Sequence, residues 1–190
     1  YEVIIVDDNS VPEHHLDTEI KKFTFPINYI KISKEEKGNR RNPCLVYNKG
    51  FKQAKGKIVV IQNPECFHIG NCLGYLKTNL THNNYLVFSC VNSLSDEMTK
   101  NLILNPNIIL EKMNNNLLWY NHPKFRPCHY NFCSGIMNDN LKILGGFDEE
   151  FAEGHSYDDD ELLLSIKNCL KLNISTIVPD KKSCFVMYSM

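Results

Sequence analysis

The sequence lacks the features that mark a membrane protein, a nucleic-acid binder or a disulfide-bonded secreted domain. No apolar run approaches the roughly 18–20 residues that span a bilayer. The net charge of −1 gives no overall basic field for nucleic acid or an anionic membrane. The eight cysteines include no CxxC pair, and no signal peptide is present. We therefore expect reduced thiols, a cytoplasmic location, no nucleic-acid partner and no transmembrane segment.

The composition is that of an ordinary globular domain. Hydrophobic residues make up 43% and charged residues 23% of the 190 positions. The chain shows no internal repeat and no linker, which predicts a single domain over residues 1–190. Because Tyr1 already stands within a strand pattern, we expect the sequence to begin inside a longer polypeptide.

Short β-branched runs alternate with helical stretches along the first half of the chain. This alternation is typical of an α/β fold with a mostly parallel central sheet and helices on both faces. The expected order is strand 2–6, helix 14–23, strand 27–32, helix 43–54, strand 57–62, helix 71–81 and strand 85–91. A broken helix over 98–112, an ordered segment at 130–138, helices from 140 and over 159–172, and a strand at 175–178 follow.

Acidic residues stand where predicted strands end or helices begin. Asp7 and Asp8 follow the first strand, Glu65 follows the third, and four acids at 158–161 open the last long helix. In α/β sheets, ligands bind beyond the carboxyl ends of strands. Taken singly, each acid also has a simpler explanation, since Asp forms turns and caps helices and acids favour helix N-termini.

The order of these segments resembles glycosyltransferase family 2, a large inverting family of nucleotide-sugar-dependent enzymes. The similar segments are VDDNS at 6–10, NKG at 48–50 with AKG at 54–56, NPE at 63–65, GGFDE at 145–149 and the acids at 158–161. The resemblance covers nearly the whole chain and is weakest from 93 to 129. It implies a GT-A (Rossmann-like) α/β fold, with one strand of that fold missing ahead of residue 1.

The resemblance assigns the donor nucleotide to the first and third strand ends. Asp8, with Asp7 in reserve, would accept hydrogen bonds from the nucleotide base. The family's DxD motif holds a divalent metal on the donor diphosphate, and here Asn63-Pro64-Glu65 takes its place. Glu65 would be the ligand of Mn²⁺ or Mg²⁺. Asn63 would contribute only a neutral carbonyl, which is a departure from the family pattern.

The resemblance also assigns the catalytic base and the sugar pocket. Asp159 would deprotonate the acceptor hydroxyl, and its neighbours Asp158 and Asp160 could exchange roles with it if the alignment shifts by one residue. Like-charge repulsion between adjacent acids would raise the pKa of this base slightly. Ser134 and Gly135, in the YNFCSG segment at 130–135, would allow close approach of the donor sugar.

Seven further side chains have both a functional and an ordinary interpretation. Three cations could assist the departing diphosphate or be plain surface charges, and two aromatics could stack on an acceptor or pack. Two histidines could bind metal or only form hydrogen bonds. These side chains are Arg40, Arg41 and Lys49, then Trp119 and Tyr120, then His122 and His129.

The sequence therefore predicts transfer of a sugar, with inversion and divalent-metal assistance, from a nucleoside-diphosphate donor. A UDP-sugar is the expected donor, and a hydroxyl on a glycan, protein or lipid is the expected acceptor. The alternative is a non-catalytic GT-A-like module that binds a nucleotide or partner, as Asn63 and the missing strand suggest. A nucleotidyltransferase is more distant, because no Gly-rich phosphate loop is visible. The sugar, the base and the acceptor stay open.

Overall fold

The computed structural model describes residues 1–93, 95–104, 119–178 and 185–189. Their strands are β1 Val3–Asp7, β2 Ile27–Lys31, β3 Ile58–Gln62, β4 Cys66–Ile69, β5 Asn84–Phe88, β6 Cys90–Ser93, β7 Trp119–Asn121, β8 Cys133–Met137, β9 Asn173–Ile177 and β10 Phe185–Ser189. Their helices are α1 Lys34–Lys37, α2 Cys44–Phe51, α3 Cys72–Asn79, α4 Asp96–Leu104, α5 Asn138–Leu144 and α6 Asp158–Asn168.

Three sheets organise these strands. The central sheet has the order β3-β8-β5-β9, in which β8 is antiparallel to β3 and β5 while β5 and β9 are parallel. Strands β1 and β2 form a parallel pair, and the third sheet has the order β4-β10-β6-β7. The predicted α/β class is confirmed, and its central sheet is mixed because β8 reverses the direction.

Helices cover both faces of the central sheet, as predicted. Strand β5 alternates its side chains, so that Tyr85 and Val87 join the core cluster that includes Leu162 and Ile166 of α6. Leu86 and Phe88 join the cluster on the opposite face, which includes Leu76 of α3 and Leu80, the residue directly after α3. These four residues of β5 are each less than one-tenth exposed, which fixes the register of the strand.

Two local predictions are wrong, one over 14–23 and one over 85–91. The helix expected over 14–23 is replaced by two 3₁₀ turns, Pro12–His14 and Glu19–Lys22, neither of which contains a buried residue. Leu16 and Ile20 are only half-buried and Phe23 is exposed, so a helix here would gain little from tertiary packing. The strand expected over 85–91 is divided at Ser89, whose hydroxyl donates to the Ile177 carbonyl (2.5 Å), so β5 and β6 enter different sheets.

Several element bounds also differ from expectation. The helix expected over 98–112 is α4 in its first part, and residues 105–112 lie outside the described ranges. The last helix ends at 168 rather than 172, and β4, β7 and β10 were not predicted. None of the helices in the described ranges is long and apolar enough to cross a membrane.

Candidate active site

The first predicted acid, Asp7, is held inside the turn that follows β1. One carboxylate oxygen accepts a hydrogen bond from the Ser10 amide (2.7 Å), and the other accepts one from the Tyr29 hydroxyl (2.5 Å). Burial acts to raise the pKa of Asp7, but the hydrogen bonds from Tyr29 and Ser10 outweigh it and lower that pKa. Asp7 therefore ties β1 to β2 as a charged acceptor.

Asp8 presents a different environment. Its Oδ2 pairs with Lys37 Nζ at 3.1 Å, and the same ammonium donates to the Asp8 carbonyl at 2.8 Å. Its Oδ1 is buried and has no hydrogen-bond partner within the described part of the chain. A buried acceptor without a partner is unfavourable, so this oxygen marks a position where an N–H of a ligand would be stabilised.

The Asn63-Pro64-Glu65 segment forms the turn between β3 and β4. The Asn63 amide donates to the Phe132 carbonyl (3.1 Å), and the Asn63 carbonyl accepts from Cys66 (3.1 Å). The side-chain Oδ1 of Asn63 accepts a hydrogen bond from the Tyr47 hydroxyl at 2.8 Å. Glu65 is exposed at the tip of the turn.

Tyr47 of α2 is a site residue that the sequence did not reveal. Burial raises its pKa first, and the negative charges of Asp159, Glu65 and Asp158 raise it further. The hydroxyl therefore keeps its proton and acts as a donor. The Tyr47 hydroxyl thus bonds to the third-strand turn at Asn63, and the charges at the start of α6 act on it.

The GGFDE segment leads from α5 to α6, and its conformation requires glycine. Gly145 ends α5 with φ 86°, and Gly146 has φ 93°. A Cβ on Gly146 would lie 2.2 Å from Asn48 Oδ1. That oxygen accepts from the Phe147 amide (2.8 Å), and Asn48 Nδ2 donates to the Phe147 carbonyl (2.8 Å). Asn48, from the NKG segment, thereby anchors the chain that leads to α6.

Asp159 lies in the first turn of α6 and is half-buried. Burial is the largest cause that raises the pKa of Asp159 to about 6, and the charges of Asp158 and Asp160 add to it. The Asn131 amide donates to Asp159 Oδ1 at 2.7 Å and opposes this rise. A carboxylate with a pKa near 6 is ionised at neutral pH and is a stronger base than an ordinary aspartate.

A buried hydrogen-bond chain supports Asp159 from the sheet. Asn131 Oδ1 accepts from the Tyr85 hydroxyl, which also lies 2.7 Å from Ser134 Oγ. Ser134 is fully buried, and a Cβ on Gly135 would lie 2.6 Å from a Leu76 methyl. This burial does not support the direct sugar contact that the resemblance implied for Ser134 and Gly135. No sequence pattern indicated the roles of Tyr85 and Asn131.

Two of the three predicted cations, Arg41 and Lys49, make structural contacts. Arg41 Nη1 contacts His155 Nε2 at 2.6 Å, and Lys49 pairs with Glu36 at 2.5 Å. Arg40 and Lys49 line an open cavity of about 370 Å³ on the outer face of α2. Arg40 Nη2 is buried without a partner among the described residues.

The predicted aromatic and histidine candidates are largely engaged in packing. Trp119 is only 4% exposed, so its ring does not offer a face to an acceptor. Tyr120 is half-buried and stacks on Phe132 with centroids 5.0 Å apart. Nδ1 of His122 accepts from two backbone amides, and Nδ1 of His129 lies 2.7 Å from Thr176 Oγ1. These contacts favour the ordinary interpretation of both histidines.

A divalent cation would find one exposed carboxylate at the third-strand turn, that of Glu65. Within the described ranges, no three His, Cys, Asp or Glu side chains converge as a metal site. Mg²⁺-like ions commonly bind through one or two carboxylates together with substrate phosphates. The chemistry of Glu65 therefore fits a cation that the donor diphosphate helps to hold.

Comparison with solved structures shows the fold that this site occupies. The S. aureus TarS 1–349 structure in complex with UDP is 15% identical with a TM-score of 0.64, covering 100% of this chain and 51% of that chain. A second TarS 1–349 structure is 16% identical, with a TM-score of 0.60, and covers 99% and 51%. This chain thus spans about half the length of TarS 1–349.

A more distant likeness is to the catalytic domain of Drosophila β1,4-galactosyltransferase 7 in complex with xylobiose. It is 13% identical with a TM-score of 0.51, covering 95% of this chain and 66% of that chain. No curated protein sequence matches this chain. The sequence profile described as Glycosyl transferase family 2 matches residues 1–141. The chain therefore belongs to glycosyl transferase family 2 and has a GT-A fold.

Proposed function

We propose that this domain transfers a sugar from a nucleoside-diphosphate donor to an acceptor hydroxyl, with inversion at the anomeric carbon. The observation that carries the proposal is the Asp159 carboxylate, half-buried and held by Asn131, with a pKa of about 6. The charge of Asp159 and that of Glu65, which follows β3, both raise the pKa of Tyr47. A base and a phosphate-binding turn on one side of the sheet are what such a transfer needs.

Asp8 is the proposed contact to the nucleotide base. Its unpartnered Oδ1 can accept the ring N–H of uracil or guanine, while Lys37 fixes the other oxygen. Asp7 then acts as support rather than as a direct contact, because both its oxygens are engaged. UDP is our first choice of nucleotide. The TarS 1–349 structure, whose fold matches all of this chain, is a complex with UDP.

Glu65 is the proposed protein ligand for Mn²⁺ or Mg²⁺ at the donor diphosphate. When bound, such a cation offsets the negative charge that grows on the departing diphosphate. Asn63 lies beside Glu65 and is fixed by Tyr47. Arg40, whose Nη2 is buried without a described partner, is the cation that we propose for a further contact to phosphate.

Asp159 performs the proton transfer. As the acceptor oxygen attacks the anomeric carbon, its proton passes to the Asp159 carboxylate, and the bond between the anomeric carbon and the diphosphate oxygen breaks. The electron pair of that bond leaves with the diphosphate. One displacement of this kind inverts the configuration and needs no covalent sugar–enzyme intermediate. The Asn131 amide keeps one carboxylate oxygen in place and leaves the other for the acceptor.

The test is sugar transfer, or hydrolysis with water as acceptor, by wild type and Asp159→Asn. Asn can still accept the Asn131 hydrogen bond but cannot take a proton, so the variant should bind UDP normally and lose activity. Loss of a general base typically lowers rates by about 10²–10⁴-fold. Full activity in Asp159→Asn would exclude this residue as the base.

A non-catalytic nucleotide-binding module is the second candidate. The observation that favours it is the bond from Tyr47 to Asn63 Oδ1, which occupies the oxygen that would take the place of a DxD carboxylate. Nucleotide binding without any donor turnover, with every UDP-sugar and both cations tried, would favour this module.

The acceptor is a glycan, protein or lipid hydroxyl, and the cytoplasmic location and the single domain over 1–190 stay predictions.

A further inference from the structure

The side-chain amide of Asn63 has two chemically different ends, and the structure uses one of them. Its Oδ1 accepts the Tyr47 hydroxyl at 2.8 Å, so Nδ2 is the end that is left for other contacts. The backbone of Asn63 is fixed on both sides, by Phe132 and Cys66. These hydrogen bonds hold the backbone of Asn63 and direct its side-chain amide.

The charges around Tyr47 favour this direction of the amide. Burial first, and then the negative charges of Asp159, Glu65 and Asp158, raise the pKa of the Tyr47 hydroxyl, so Tyr47 keeps its proton and donates to Asn63. The same negative charges act on the amide that is bonded to this hydroxyl. They favour an N–H group at this position over the second oxygen that an Asp would bring.

We propose that Asn63 contacts the donor diphosphate through Nδ2, as a hydrogen-bond donor, and not a metal ion through Oδ1, with Tyr47 as the residue that positions it. This inference rests on the proposed function. The Asn in place of the first DxD acid then exchanges a metal ligand for a direct phosphate contact. Glu65 is left as the one anionic ligand of this turn.

A consequence follows for the role of the cation in donor binding. A diphosphate that accepts a hydrogen bond from Asn63 has less need of a cation to offset its charge. UDP should therefore bind to this domain at a measurable affinity in EDTA, and Mn²⁺ should strengthen that binding only moderately. An Asp at position 63 should reverse the balance, because it would repel the diphosphate and add a second anionic metal ligand.

The experiment is calorimetric titration of UDP, in EDTA and in Mn²⁺, into wild type and four variants. These are Tyr47→Phe, Asn63→Ala, the double variant and Asn63→Asp. Tyr75→Phe is the matched control, because it removes a tyrosine hydroxyl from a half-buried helical position outside the site. Thermal unfolding checks that each variant is folded, and Tyr47→Phe should be folded because it keeps the ring contact with Phe147 (5.2 Å).

The expected result has three parts. In EDTA, Asn63→Ala should weaken UDP binding about tenfold, the usual order for a hydrogen bond to a charged group. Tyr47→Phe should weaken it less, and should have no further effect in the Asn63→Ala background, because Tyr47 acts only through the amide. Asn63→Asp should weaken binding in EDTA and increase the gain from Mn²⁺ about tenfold over that of wild type.

Two other results would contradict the proposals. The first contradicts this inference alone, and the second contradicts the proposed function as well. If wild type binds UDP but Asn63→Ala and Tyr47→Phe bind it equally well in EDTA, or their effects simply add, this inference is wrong and the proposed function stands. If wild type binds UDP, GDP and CMP neither in EDTA nor in Mn²⁺, the donor site itself is absent and both proposals are wrong.

Discussion

Asp159→Asn should stabilise the folded protein at neutral pH while it removes activity. Burial and the neighbouring charges raise the folded-state pKa of Asp159 to about 6 from a reference value of 3.8. An acid whose pKa is higher in the folded state than in the unfolded state destabilises the fold when it is ionised. This destabilisation is absent below pH 3.8, grows through the interval up to about 6 and is complete at pH 7. An uncharged Asn does not suffer it.

The magnitude follows from the shift in pKa. Each pKa unit corresponds to about 1.4 kcal/mol, so the full effect on the free energy of unfolding is about 3 kcal/mol at pH 7. Loss of a negative charge at a helix N-terminus subtracts about 0.3–1 kcal/mol from it. The Asn131 hydrogen bond is retained, because Asn also offers an acceptor oxygen. The expected net stabilisation is therefore about 2 kcal/mol at pH 7 and close to zero at pH 4.

The assay is urea unfolding at pH 7 and pH 4 for wild type, Asp159→Asn and Asp160→Asn. Asp160 lies in the same helical turn but is exposed, so Asp160→Asn removes the same charge from the same helix end without relieving burial. It should leave stability unchanged or slightly lower. The reasoning is refuted if Asp159→Asn is no more stable than wild type at pH 7, or if its advantage is equal at both pH values.

Three further outcomes are expected. The kcat/KM for donor turnover should fall about tenfold per pH unit below pH 6, as Asp159 takes up its proton, and a flat profile from pH 7 to 5 would contradict this. Gly146→Ala should lower the free energy of unfolding by about 3 kcal/mol, since it adds a clash with Asn48 to backbone strain. Gly145→Ala adds backbone strain but no clash, and should lower the free energy of unfolding by about 1 kcal/mol. Equal losses for the two variants in urea unfolding would contradict this explanation. Asp8→Asn should weaken UDP binding about tenfold by calorimetry, and unchanged affinity would exclude the base contact.

The fold was largely predictable because its central strands carry a local signal. The run Ile58–Gln62 is continuous and β-branched, and it forms β3 as expected. The paired glycines of GGFDE marked the end of α5, and both adopt the positive φ that glycine permits. The end of β3 also pointed to Glu65 as a site residue, because ligands of such folds bind beyond the carboxyl ends of strands, and this assignment stays a prediction.

The supporting shell of the site could not be predicted, because tertiary contacts alone define it. Tyr47 looks like any helical core aromatic, and only the fold brings its hydroxyl to Asn63, 16 positions later. Tyr85 and Asn131 are 46 positions apart, and nothing in either segment indicates that they meet. The burial of Ser134 was missed for the same reason, since a small polar residue in a strand can face a pocket or a neighbouring side chain.

Weak local signals explain the remaining errors. The 14–23 segment has apolar residues at helical spacing, Leu16, Ile20 and Phe23, but neither 3₁₀ turn contains a buried residue, so packing does not select a helix there. Strand β4 has only four residues directly after a turn, too few to show a period.

The most direct test of the central claim is UDP release from a panel of UDP-sugars, measured with UDP binding, for wild type and Asp159→Asn. The account predicts that both proteins bind UDP with similar affinity, and that wild type releases UDP at least about 100-fold faster than the variant. Equal release rates would contradict the assignment of Asp159 as the base. A wild-type protein that binds none of these donors would contradict the account as a whole.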